Sequence, residues 1–129
     1  MNRNISNSQI RIIRLALLGG ILLFGVVAAL VASGSVEGGL AMTRPGPLAG
    51  VVALLVIMAA GLVMFMRRRI EGQKDMDVRF KSMLVAHATC EAAALIGAVH
   101  ILMTGGLLPY VAGLTVFVFS LVLLPIEDL

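Results

Sequence analysis

Glu91 is the residue of this chain best placed to do chemistry, because it stands inside "MLVAHATCEAAALIGAVHILMTG", residues 83 to 105, a run with no other acid and no Lys or Arg. His87 precedes it by four residues and Cys90 by one, so acid, imidazole and thiol share one broad face of a helix. A carboxylate and an imidazole at that spacing suit reversible protonation or the holding of a small cation. Lys81 lies ten residues before Glu91, and at ~1.5 Å of rise per residue the acid stands about 15 Å into an apolar layer, near its middle. An ionised acid at that depth costs about 2.5–3.5 kcal/mol on insertion scales, so such residues normally face protein and serve a function. The competing reading is a neutral acid that hydrogen-bonds a neighbouring helix, but such bonds average only about 0.6 kcal/mol.

The remaining chemistry-bearing residues are few. His100 follows Glu91 by nine residues, which places it near the opposite side of the helix and roughly 13 Å further out. It reads as a hydrogen-bonded residue near the outer interface. A metal needs more ligands than His87 and Glu91 supply, and a bis-histidine haem would draw its two rings from different subunits. No metal and no cofactor are expected. No C-x-x-C, H-E-x-x-H or glycine-rich phosphate loop occurs, and the single cysteine allows no disulfide within the chain.

The elements that must position Glu91 follow from composition. Of 129 residues, 60% are hydrophobic and 13% charged, against about 25% charged in an ordinary soluble domain. The chain reads as one all-α polytopic membrane domain, too short to hold a soluble enzyme module as well. Its four apolar spans run over about 12–34, 47–66, 81–104 and 107–126, each close to the ~20 residues that cross a bilayer core as a helix. The first exceeds the ~7–15 apolar residues of a signal peptide and reads as a retained span. "SGSVEGGLAMTRPGP" and "TGGLLP" break the pattern on one side, as helix-ending loops open to water.

Charge orients the bundle. Arg3, Arg11 and Arg14 precede the first span, and Arg67, Arg68, Arg69, Lys74, Arg79 and Lys81 lie between the second and third, so nine of ten basic residues share one face. The positive-inside rule makes that face cytoplasmic and puts both termini inside. The pattern suits integral residence in a bacterial inner (cytoplasmic) membrane. The formal charge of +3 comes without aromatics interleaved among the bases, which argues against nucleic acid and for contact with anionic lipid. The connector "RRRIEGQKDMDVRFK" reads as a solvated loop that fixes topology, with Arg67, Arg68, Arg69 and Lys74 the candidate contacts to lipid headgroups or a cytoplasmic partner.

Small residues mark the faces on which helices approach closely. In the third span these are Ala86, Cys90, Ala94 and Ala98, with Ala93 and Gly97 beside them; in the first they are Gly19, Gly20, Gly25 and Ala29, and in the second Ala49, Gly50, Ala53, Ala60 and Gly61. The fourth span is rich in Leu, Val and Phe and is expected to face lipid. Tyr110, the only tyrosine, is expected to sit among the outer headgroups. The eight methionines form no stripe and read as adaptable packing residues.

The stretch "RFKSMLVAHATCEAAALIGAVHILM", residues 79 to 103, resembles the carboxylate helix of rotary ATPase c-subunits, the proteolipids, in its basic lead-in, mid-membrane acid, small residues and glycine. That resemblance implies a ring-forming subunit in which Glu91 carries a proton or sodium ion and Ala93 and Gly97 are close-packing positions. The glycine-repeat helix of that family is replaced by a span with only Gly50 and Gly61, and the acid stands on the third span. The last two spans also resemble small bacterial four-span membrane proteins of unassigned activity, through the "ILMTG" before the final helix. The residues together lead to a non-enzymatic subunit that assembles, with itself or in a larger membrane complex, through Gly/Ala faces, with Glu91 and His87 at the interface. The alternative is the proton- or sodium-handling ring.

Overall fold

The computed structural model describes residues 7–72 and 74–124. Among them it holds four helices, α1 (Asn7–Ser35), α2 (Pro47–Glu71), α3 (Met76–Thr104) and α4 (Leu108–Leu123). α1, α2 and α3 are long and apolar enough to cross a membrane, and α4 is a shorter apolar helix. This is the all-α membrane architecture read from hydropathy. The last expected boundary, near 126, lies outside the described residues, as does Arg3.

Local signals explain the helix ends. Pro47 opens α2, where its missing N–H costs nothing. Asp75 caps α3, its side chain accepting from the Asp77 N–H at 3.0 Å. α3 ends at Gly105, whose φ of 75° is left-handed and whose N–H bonds the Ile101 carbonyl at 2.8 Å, the geometry for which glycine is preferred.

The basic connector between α2 and α3 corrects the sequence reading. α2 continues through Arg67, Arg68 and Arg69 to Glu71, and α3 begins at Met76, so most of the supposed loop is helix. The reason is local pairing: Arg67 Nε donates to Glu71 Oε1 at 3.3 Å and Lys81 Nζ to Asp77 Oδ2 at 3.1 Å, both at i,i+4 spacing. Charged residues that look like loop from hydropathy are good helix formers once outside the apolar layer.

α3 is the central helix. It packs against α1, α2 and α4, while among the described residues α1 and α2 make no contact with each other. The expectation that the fourth span is the lipid-facing one is therefore corrected: α4 lays Gly113, Val116, Phe117 and Ser120 into the interior and exposes Leu108, Val111, Val118, Phe119 and Val122 on its far side. One glycine and one serine on the same face suffice for close approach. α1 and α2 expose apolar side chains as well, Leu30 at 69% and Ile57 at 71%.

The outer loops are clasped together. The Ala41 N–H donates to the Gly105 carbonyl at 3.0 Å, and the Ala41 and Met42 carbonyls accept from Leu107 at 3.0 Å and Leu108 at 2.9 Å. Arg44 folds the same loop back by donating to the Glu37 and Gly38 carbonyls. A segment whose composition suggested open backbone thus has several of its polar groups satisfied by the α3–α4 turn.

Candidate functional site

The α3–α4 seam is built from backbone-to-backbone contact. A Cβ added at Gly113 would stand 2.6 Å from Ala94 Cα, and one added at Gly97 would stand 2.6 Å from Tyr110 Cα. Ala86, Cys90, Ala93, Ala94 and Ala98 are all fully buried. The small-residue ridge of α3 therefore meets close neighbours as its composition suggested, and those neighbours are helices of the same chain.

Close approach brings polar groups together in the inner half of this seam. Ser120 Oγ donates to the Phe117 carbonyl of its own helix at 2.6 Å and lies 2.8 Å from His87 Nδ1. The direction of the serine–imidazole bond follows the His87 tautomer: with Nδ1 protonated the serine accepts from the ring, and with Nδ1 bare it donates to it. His87 Nε2 is buried and has no hydrogen-bond partner among the described residues. Cys90 is fully buried in the same core cluster as Phe117, and the Phe117 ring lies against the imidazole with centroids 6.0 Å apart. Arg14 of α1 donates to the Leu121 carbonyl, a favourable place for a cation because helix carbonyls near a C-terminus lack partners.

Glu91 is not part of this cluster, although His87 is one turn away. Among the described residues its carboxyl makes no hydrogen bond and no ion pair. It is half-buried, on the border between the packed face of α3 and an exposed stripe that includes Ala88, Ala92 and Val99. The expected Glu91/His87 pair is thus divided. The imidazole turns inward to a serine 33 positions along the chain, and the acid is left at the surface of the bundle.

The other candidates fall in separate places. Gly25 takes the Tyr110 ring against its backbone. Gly19 and Gly20 are exposed, with open space around them, so any packing role for them requires a second chain. On α2, Gly50, Ala53 and Gly61 likewise face outward, and Val52, Ala59 and Val63 form the buried face. Arg67, Arg68, Arg69 and Lys74 are exposed at the inner end. His100 is buried beneath the clasp, where Thr104 Oγ1 lies 3.1 Å from its Nε2, donates to its carbonyl at 2.9 Å and accepts from the Gly106 N–H at 3.1 Å. Both imidazoles are enclosed by the chain's own packing, at 2% and 0% exposure, so a haem shared between subunits has no accessible ring to bind.

Tyr110 is a further correction. Its hydroxyl donates to the Ile21 carbonyl at 2.8 Å, tying α4 to α1 inside the bundle, where an outer headgroup anchor was expected. Ser120, Thr104 and Arg14 were not singled out as site residues from sequence. A hydroxyl in an apolar span was the available signal for Ser120, shared with Thr115; nothing local identifies its partner across 33 residues.

Comparison with known protein families, with curated proteins and with solved structures finds no match to this chain.

Proposed function

We propose that this chain is a non-enzymatic membrane subunit that assembles with another transmembrane chain through the side of α3 that carries Glu91. The observation that carries the reading is the Glu91 carboxyl itself, half-buried near mid-depth and without a partner among the described residues. Lipid tails offer it no hydrogen bond, and an unmet polar group in hydrocarbon costs several kcal/mol by the ~2–7 kcal/mol scale for burying such groups. The small-residue ridge of α3 is already consumed inside the chain, so assembly falls to the exposed stripe with Ala88 and Ala92 beside Glu91, where small side chains permit close approach. The site lies in a bacterial inner membrane with both termini cytoplasmic, in keeping with the basic inner end.

The mass of the protein extracted from its native membrane tests this. The wild type is expected to run as an assembly larger than the 13.6 kDa monomer, and Glu91→Ala to run as the monomer. A monomeric wild type overturns the reading.

The outward position of Glu91 also favours a second reading, a proteolipid-like ring in which the acid carries a proton or sodium ion at a protein–lipid boundary. Covalent labelling of Glu91 by a hydrophobic carbodiimide, which adds to the protonated acid and is therefore blocked by bound sodium and promoted by low pH, would support it. Wild-type proton flux with Glu91→Gln would remove it.

A further inference from the structure

We infer that the partner at Glu91 is a transmembrane helix of a different chain that presents a basic side chain, lysine or arginine, at mid-membrane depth. This rests on the assembly reading above and adds the chemistry of what is assembled. An acid at that depth is stabilised most by a cation brought into contact with it, because the low dielectric strengthens the pair and the charge has nowhere else to be solvated.

This chain cannot supply that cation, either to itself or to a second copy. Its basic residues lie at the two ends of the bundle: Arg3 and Arg11 before the first span, Arg44 in the outer loop, and residues 67 to 81 at the inner end. Arg14, the nearest in depth, is turned into the bundle against the Leu121 carbonyl. His87 has Nδ1 committed to Ser120, and both its ring and that of His100 are buried beyond the reach of another subunit. Two copies meeting at Glu91 would bring acid to acid, so that pair forms only with a carboxyl protonated, whereas a basic side chain meets the ionised acid directly. The flanking Ala88 and Ala92 are exposed and keep the approach shallow, so a long side chain from the facing helix reaches the carboxyl. Lysine and arginine are the side chains with that length and charge.

The test uses the full protein in phosphatidylcholine vesicles with an alanine–leucine transmembrane peptide of about 20 residues bearing one central lysine. The same peptide with leucine or glutamine at that position is the control. Fluorescence energy transfer between labelled protein and peptide reads association. The lysine peptide is expected to associate about tenfold more tightly than either control, and Glu91→Gln to erase the difference while leaving helicity unchanged. Equal association of the three peptides overturns the inference, as does a lysine preference that survives Glu91→Gln. An assembly from native membranes that contains only copies of this chain and still depends on Glu91 overturns it too, while leaving the assembly reading intact.

Discussion

Replacing Gly113 by alanine asks whether α3 and α4 touch through their backbones. An added Cβ would lie 2.6 Å from both Ala94 Cα and Ala94 N and 2.8 Å from the Ala93 carbonyl carbon. None of these atoms can rotate away. Reaching ordinary contact at 3.4 Å requires the helices to part by about 0.8 Å, and a gap of ~0.5–1 Å forfeits a quarter to a half of each dispersion contact. The overpacking range of about 1–3 kcal/mol applies. Alanine also gains helix propensity over glycine, by about 1 kcal/mol, but so does the control Gly61→Ala, which meets open space. The propensity gain cancels between the two variants, so Gly113→Ala is expected to be less stable than Gly61→Ala by about 1–3 kcal/mol. Gly97→Ala, against the backbone of Pro109 and Tyr110, should behave like Gly113→Ala, and Gly19→Ala like Gly61→Ala. The assay is equilibrium unfolding in lipid–detergent bicelles, followed by far-UV circular dichroism. Equal stability of the two classes would refute the close seam and, with it, the internal use of the α3 ridge.

Other outcomes follow from single bonds. Ser120→Ala removes the group to which His87 Nδ1 is bonded; a double-mutant cycle with His87→Phe should give a coupling of about 0.6–1.7 kcal/mol in the same unfolding assay, and a value near zero would dissolve the His87–Ser120 bond. Tyr110→Phe, which deletes only the bond to the Ile21 carbonyl, should cost a similar ~0.6–1.7 kcal/mol without loss of helicity. Gly105→Ala places a side chain at φ 75° and against the Gly39 carbonyl; the left-handed strain alone is about 1–2 kcal/mol. Its expected readout is faster hydrogen exchange at the Ala41, Leu107 and Leu108 amides, which the clasp protects, with the α3–α4 seam unaffected.

Much of the fold was legible in sequence because hydropathy acts over about 20 consecutive residues, and the caps at Asp75 and Gly105 act over three or four. Rotation of each helix about its axis was less legible. The α3 ridge was readable because four alanines, a glycine and a cysteine mark the face on which neighbours can come close. The role of α4 was not, since Gly113 and Ser120 are too few to stand out among Leu, Val and Phe, yet their spacing of seven puts both on one side. His87 and Glu91 looked like a pair at four-residue spacing. That spacing still leaves about 40° between them, enough for one to face Ser120 and the other the edge of the bundle. Tyr110 followed the interfacial rule in position and departed from it in direction, because Gly25 leaves space for its ring inside the bundle and Gly97 lets its backbone approach α3.

The central claim is that another polypeptide covers Glu91. Photocrosslinking from a reactive amino acid placed at the exposed neighbour Ala92, in native membranes, tests it most directly, with the exposed Ala53 of α2 as the control position. A discrete protein adduct from position 92, absent from position 53 and lost when Glu91→Ala is added, is the expected result. Adducts to lipid alone from both positions would contradict the account.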